Sequence, residues 1–537
     1  MKHFRFIFLL TLFFSLRVSF GQTAITDFEL KWDKAQQPFK TGYINDLKII
    51  DSNNEYILYY LNTNKYAVIG TNITELRFLV QQNRSTGDYN YIEITPQSQN
   101  KKLSYLASDT INNVFHVISY FNNKTQKKLY IFDQTFDKIK LISNNDIHSI
   151  AEIDLKDKGS LLENTDFFSN NGGNLHLAFN NGRYLLRYNC QSLKGIKYCF
   201  EVFSKSLHHE WGTECMNLNE KEFNSEVSYT IDNDGNVYAI QEMKNYISQK
   251  LWLVFYPKDG SKSLSLPVAL ENNLYFTAKQ IAVNRENNLI CAGFYSTHES
   301  DGATGAFSYI IEPKLAKVKA IQKQEFSQDL IKKGYDFKLQ NEYIKKEVVK
   351  KEFNKKFNYN LNEIYFRNDG GFDLVAEKYF SERFVSGYQN GAQNSNYNYY
   401  FDDLWVLCFY PDGSFKWIQK IPKYEYVVDK SDPIGGYYFY HDKNENLNFI
   451  YNNAYSKDAI LPRLRNFSTT VSTRLDKDGN ETFRELIHEN EISKIIVPNY
   501  IFKERNDKVI LTQFNPINSL MMEKKYNNVI FGELIYK

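Results

Sequence analysis

The sequence predicts an all-β fold built from repeated four-stranded units closed into a ring, and three observations carry that expectation. Tyr and Phe are abundant, 40 and 41 of 537 residues, Asn punctuates everywhere and long helical patterns are nearly absent, which is a composition of strands and turns. A polar turn followed by an apolar strand recurs eight times, mostly at intervals of about 60 residues. The stretch from Gln22 to the first copy and the stretch after the last copy, each about 30 residues, add up to one further unit of that length. A four-stranded unit cannot bury both faces alone, and a ring of such units buries them against each other, so the architecture expected is a β-propeller, with eight blades and seven as the rival count.

The first 21 residues read as an export signal that lies outside the fold. Lys2 and Arg5 open it, Phe6 to Phe14 is an apolar run too short to span a bilayer comfortably, and Ser19-Phe20-Gly21 places small residues before a cut at Gln22. An uncleaved anchor is the alternative, disfavoured by the short run and by Arg17 at its far end. No Cys follows the run, which excludes a lipid anchor at this site. The remaining 22–537 contains no other long uncharged apolar segment, so no transmembrane segment is expected after signal removal. The expected location is the periplasm, the cell surface or the cell exterior, with peripheral attachment to the outer membrane as one arrangement. Losing Lys2, Arg5 and Arg17 leaves 62 basic against 63 acidic side chains, a balance that argues against nucleic acid as a partner.

The eight copies are Asn53 to Leu58, Asn112 to Val117, Gly173 to Ala178, Gly235 to Ile240, Asn287 to Ala292, Gly370 to Ala376, Glu445 to Ile450 and Asn506 to Leu511. A second feature follows them, a strand ending in a tight turn: Leu251 to Ser261 closely copies Leu404 to Ser414, and Leu475 to Asn480 is a third instance. Asp-Gly at these places supplies the positive φ that such a turn demands. Ile25 to Trp32 reads as a strand that pairs with the last blade and so removes the exposed edges of an open array.

One interval is longer than the rest, and it holds the only convincing helix, about 327–357. Tyr343, Ile344, Val348, Val349, Phe353 and Phe357 form an apolar stripe for the rim of the ring, while Lys346 and Lys350 stand on a lysine-rich opposite face. That face is read first as a solvated surface, because Glu342, Glu347 and Glu352 sit in pairing register, with an acidic partner or anionic headgroups as the alternative. Soon after it, Tyr388, Tyr397, Tyr399 and Tyr400 crowd a hairpin rich in Gly, Asn and Gln, rings that an extended tip would offer to a protein or a sugar. Five Cys in an exported chain leave at least one thiol free or paired between molecules. Cys190 and Cys199 flank a hairpin and are the candidate disulfide, whereas Cys291 and Cys408 sit in apolar strands as buried thiols.

Chemistry is harder to find. His208, His209, Glu210 and Cys215 are the densest set of metal-ligand types, but neighbours on a strand point to opposite faces and no second cluster accompanies them, so no metal is expected. Asp232-Asn233-Asp234-Gly235 lacks the acid and the Glu of a calcium loop, and Asp476-Lys477-Asp478-Gly479 puts Arg474 where the first ligand belongs, so both are read as turns. No nucleophile elbow, His-Glu-x-x-His or phosphate loop occurs. Trp417, placed just after Asp412-Gly413, resembles the tryptophans that lock neighbouring blades in quinone-cofactor dehydrogenases and their non-enzymatic scaffold relatives. The fourth unit has Leu264 at the matching place, and the vicinal cysteine pair of those enzymes is absent, so no cofactor is expected.

The segment 360–453 resembles a family of uncharacterised exported proteins of Gram-negative bacteria. The likeness rests on Asp369-Gly370-Gly371, Ala376-Glu377-Lys378-Tyr379-Phe380, Tyr397 to Tyr400, Asp412-Gly413, Trp417, Ile421-Pro422-Lys423, Gly435-Gly436-Tyr437-Tyr438 and Tyr451-Asn452-Asn453. It implies export and a propeller-like β fold, and no activity. The expectation is therefore one propeller domain over 22–537 that serves as a non-enzymatic binding or scaffold protein of the cell envelope, its partner an envelope protein or a glycan. The rival is a carbohydrate-active enzyme, a glycoside hydrolase or lyase, with its site in the central channel. Two or more carboxylates converging in a deep polar channel favour the enzyme, and an apolar or blocked channel sinks it.

Overall fold

In the computed structural model the described residues are 28–33, 42–65, 75–95, 97–98, 101–112, 114–137, 142–158, 160–162, 175–192, 195–213, 215–217, 223–245, 248–270, 274–298, 302–315, 317–334, 358–389, 392–428, 435–453, 469–487, 496–504, 508–517 and 525–536. They form eight antiparallel sheets arranged as the blades of a ring, which settles the count at eight, and one small two-stranded sheet of Gln97–Ser98 with Lys101–Lys102 between blades 1 and 2. Blade 1 spans Gly42–Ser52 to Tyr89–Glu93, blade 2 Ser104–Ile111 to Ile142–Asp154, and blade 3 runs from its short first strands, Ser160–Leu161 and Leu175–Asn180, to His209–Gly212. Blade 4 spans Phe223–Ile231 to Leu264–Ala269, blade 5 Tyr275–Val283 to Lys317–Glu325, and blade 7 Tyr437–His441 to Glu481–Ile487. Blade 6 has as its middle strands two of 18 residues each, Phe372–Gln389 and Ala392–Phe409.

Blade 8 is composite. Its first three strands are Phe502–Lys503, Lys508–Ile517 and Lys525–Tyr536, and its fourth is Phe28–Trp32 from the other end of the chain. Phe28 faces Tyr536 and Trp32 faces Gly532 in antiparallel register, the closure expected from the repeat spacing. Arg84 of blade 1 fastens the seam, donating to Asp33 at 2.8 Å and to Glu533 at 3.3 Å.

The core is divided as this design requires. Each of the eight interfaces between neighbouring blades holds one apolar cluster, including the interface of blade 8 with blade 1, where Ile510, Val529 and Phe531 meet Ile57, Tyr59 and Phe78. Successive side chains of a strand point to opposite faces, so Tyr59 and Leu61 pack toward blade 8 while Leu58 and Tyr60 pack toward blade 2. A strand used on both faces must be apolar throughout, and all of Leu289–Ser296 is buried.

Antiparallel order also sorts the connections onto two faces. Turns from first to second strand and from third to fourth lie on one face, and the remaining connections lie on the other. On the turn face Asn112, Gly182, Gly235, Asn287, Gly370 and Glu445 carry positive φ between first and second strands, and Gly260, Gly413 and Gly479 do so in the Asp-Gly turns. Seven sequence copies mark the entry to a second strand. The third does not: Leu175–Asn180 is a first strand, and the turn of that blade is Asn181-Gly182. The expected helix is described only at Gln328–Lys332, capped by Ser327, with Leu330 and Ile331 packed on the cluster between blades 5 and 6. Its expected continuation over 335–357, with Lys346 and Lys350, lies outside the described residues.

Candidate functional site

The first strand of each blade faces the axis, and the groups these strands carry decide what the channel can do. His176, on the first strand of blade 3, and Tyr229, on that of blade 4, meet with 2.6 Å between the imidazole Nδ1 and the phenol oxygen. Arg187 lies directly opposite His176 in the register of blade 3. Its guanidinium carbon is 5.2 Å from the centre of the Tyr229 ring and 6.0 Å from that of Tyr198. Burial, and then the charge of Arg187, push the imidazole down to about 4, so it is neutral near pH 7. Burial raises the Tyr229 phenol, Arg187 opposes the rise, and Glu363 adds to it. Glu363 therefore stands near enough for its charge to be felt by Tyr229, although it belongs to blade 6. Its side chain is solvent-exposed, yet the surrounding protein raises its carboxyl above the usual range.

A second polar group lies where blades 8, 1 and 2 meet. Burial raises the Asp46 carboxyl, against hydrogen bonds from the Leu47 amide and Tyr500 and the charge of Lys48. Tyr105 stacks on Tyr60 at 5.5 Å, with the Arg77 guanidinium 5.1 Å from the centre of the Tyr105 ring. The Tyr105 hydroxyl donates to Ser108 Oγ at 3.1 Å, and Lys48 Nζ donates to the Ser108 carbonyl at 2.8 Å. Burial pushes the Tyr105 phenol up to about 12. The channel is thus polar and carries ionisable groups, but with one carboxyl in each cluster the converging carboxylates expected of the enzyme are not seen among the described residues.

The residues singled out in the sequence fall elsewhere. Tyr388 and Tyr397 lie on the backbone of the long hairpin of blade 6, and their side chains are outside the described residues. Tyr399 is half-buried. Tyr400 is no tip residue: it is buried in the stem, stacked on Phe380 at 5.9 Å, and the added strand Glu425–Val428 covers that edge. The disulfide is also different from the one expected. Cys199 pairs with Cys215, not with Cys190, which is a buried free thiol like Cys291 and Cys408. The register explains this, because Cys190 faces Lys197 and Cys199 faces Tyr188, while Cys215 follows the fourth strand of the blade.

The supposed metal set is likewise dispersed. His209 Nε2 is 2.9 Å from buried Glu201, which also accepts from Lys158 and Tyr188, and Glu210 pairs with Arg183 and Lys258. Burial would raise the Glu201 carboxyl, but His209, Lys158 and Tyr188 together hold it below its usual value. Among the described residues no three His, Cys, Asp or Glu come together as a metal site. Asp232 and Asp476 do turn work, accepting from Asn236 and Asn480 of their own loops. Trp417 does join blades, donating to the Lys477 carbonyl of blade 7 at 3.0 Å, and Trp211 makes the same kind of link from blade 3 to the Gly235 carbonyl. Two open depressions on the outside, around Lys258, Lys262 and Lys314 and around Asp329 and Lys333, are lined by mixed charge.

Sequence reasoning passed over the channel residues because His176 stood inside a repeat copy and read as strand. The third copy, unlike the other seven, falls on a first strand, and nothing in its sequence pattern marks that difference. No protein-family model and no curated protein matches the sequence. Among solved structures it is similar to the β-propeller domain of the Trilobed protease from Pyrococcus furiosus, described as having an open velcro topology, at 12% identity and a TM-score of 0.33 over 84% of this chain and 97% of that one. It is similar to polysaccharide lyase Uly1 at 8% identity and a TM-score of 0.36, over 94% of this chain and all of that one. The acylaminoacyl peptidase of Pyrococcus horikoshii gives 11% identity and a TM-score of 0.34 over 90% of this chain. This chain spans about 60% of that peptidase's length. None of these likenesses carries an activity to this chain, whose propeller fold stands on its own strand pairing.

Proposed function

We propose that this chain is an exported enzyme that acts on an anionic glycan in its central channel, by proton abstraction and elimination. The observation that carries the reading is the 2.6 Å contact of His176 with Tyr229, on first strands that face the axis, with Arg187 of the second strand of blade 3 beside them. A neutral imidazole can take the phenol proton while the Tyr229 oxygen takes a proton from carbon next to a substrate carboxylate. Arg187 offsets the negative charge on the phenolate, the electron pair forms a carbon–carbon double bond, and the glycosidic carbon–oxygen bond breaks. Glu363, whose carboxyl is raised, supplies the proton that the leaving oxygen needs. Hydrolysis is less well supported, since it calls for two facing carboxylates and Asp46 belongs to the other cluster. Export is supported by the Cys199–Cys215 disulfide, a bond that persists in oxidising compartments.

The test is turnover of a panel of uronate-containing polysaccharides, followed by the ultraviolet absorbance of the unsaturated product. Activity is expected to fall about 100-fold to 10,000-fold in Tyr229→Phe and His176→Ala. It should also decline in acid as the imidazole takes a proton near pH 4. No turnover on any such glycan, with saturable binding unchanged in Tyr229→Phe, would leave the binding-module reading in its place. That second reading is favoured by one feature, the hairpin of blade 6, whose two strands of 18 residues carry it to the face that also bears the helical insertion.

A further inference from the structure

The fourth strand of blade 6 is interrupted. Phe415–Ile421 covers the third strand as far as Leu404, and after Pro422-Lys423-Tyr424 the added strand Glu425–Val428 covers it again from Phe401 to Asn398, along the stem of the long hairpin. At the break Lys423 turns inward and is wholly buried. Its Nζ donates to Glu377 Oε1 at 2.7 Å and to Glu425 Oε2 at 2.9 Å, and the Gly436 amide donates to the same Glu425 oxygen at 3.0 Å. Glu425 Oε1 is buried and meets no hydrogen-bond partner, and neither does the nearby Tyr437 hydroxyl. Around this group, Lys420 pairs with Asp403 at 3.0 Å and Lys378 with Asp402 at 3.5 Å, and Asp403 also accepts from the Lys423 amide. Four carboxyls therefore share three ammonium groups, and all lie in or beside the hairpin stem.

We propose that Glu425 is a proton-operated latch. With a proton on its free oxygen it lets Lys423 serve Glu377, and the strand Glu425–Val428 stays zipped to Asn398–Phe401. Without the proton, two carboxylates compete for one ammonium in a space closed to water, and the strand loosens from the stem.

Burial first, then the Glu377 charge, outweigh Lys423 and push the Glu425 carboxyl up to about 7, from an ordinary value of 4.5. Glu377 is raised as well, by burial. Burial disfavours the Lys423 ammonium, but the two carboxylates more than offset it, so the lysine keeps its charge. A group that binds its proton more tightly when latched than when open stabilises the latched state fully below about pH 4.5, and that stabilisation is lost as the pH rises through about 7. The hairpin stem is thus held in mildly acid surroundings and freed in neutral ones, whichever ligand the protein takes.

Hydrogen exchange of the full chain between about pH 5 and pH 8, corrected for the intrinsic rate, tests this. Protection of the amides in 398–401 and 425–428 should fall by up to about tenfold per pH unit and level off above about 7. Amides of Leu289–Ser296 in blade 5 should show no such slope. In Glu425→Gln the slope should vanish. A flat profile in the wild type, an equal slope in blade 5, or an unchanged slope in Glu425→Gln would overturn the proposal. The comparison of the two blades within the wild type decides it even if the variant does not fold.

Discussion

Asp46 and Glu363 reach the channel because each sits where a first strand carries one residue more than its neighbour. In blade 1 the register slips between Ile44 and Asp46. In blade 6 four steps along the first strand, from Leu361 to Tyr365, match three along the second, from Ala376 to Asp373. An extra residue re-aims a side chain, and both carboxyls gain a surrounding that raises them. The cysteines show the same dependence on local placement. Peptide mapping without reduction should find Cys199 joined to Cys215, and Cys190 should react only on unfolding, since burial pushes its thiol up to about 11. Cys215→Ser should cost about 3 kcal/mol in chemical denaturation, as expected for a closed loop of this length. A recovered Cys190–Cys199 peptide would contradict the structure.

At the scale of the element, the second strands show what the sequence could and could not convey. Leu289 to Ser296 is apolar enough to be recognised as a strand, and the Asn287 turn before it marks its start. Gly293 within it has a role no pattern reveals: a methyl group there would overlap the carbonyl oxygen of Ala278, next to the bulge in the first strand of blade 5. Gly293→Ala should destabilise the protein by about 1–3 kcal/mol by forcing the two strands apart, a shift readable as a lower denaturation midpoint. Blade number, ring closure and the Asp-Gly turns were legible because turn chemistry is local and repeats. His176, Tyr229, Arg187 and Glu363 were not, since they come from three blades and meet only through the ring. The Cys pairing was misread for a related reason. Spacing along a hairpin brings Cys190 near Cys199, but Cys215 is delivered by the chain leaving the next strand.

For the whole molecule, stability is shared among eight similar interfaces, and the seam in blade 8 is the one made by both ends of the chain. Removing residues up to Asp33 strips five paired residues, the half-buried Leu30 and Trp32, and one partner of Arg84. The loss should be roughly 1.5–3 kcal/mol, from two half-buried apolar side chains that each contribute about half of the 1.5–3 kcal/mol of full burial. The uncovered edge of Lys525–Tyr536 should also promote association, visible as concentration-dependent size in light scattering. A truncated chain with unchanged Tm and size would show the seam to be dispensable.

That seam also orders events in time. Phe28–Trp32 is made before any blade exists, and its partner Lys525–Tyr536 comes after all the other strands. Local hairpins can pair as soon as they are made, but the ring cannot lock until both ends are free in the same compartment. A polypeptide threaded through a narrow pore therefore stays unclosed while it moves, and its final joint forms only where it is delivered.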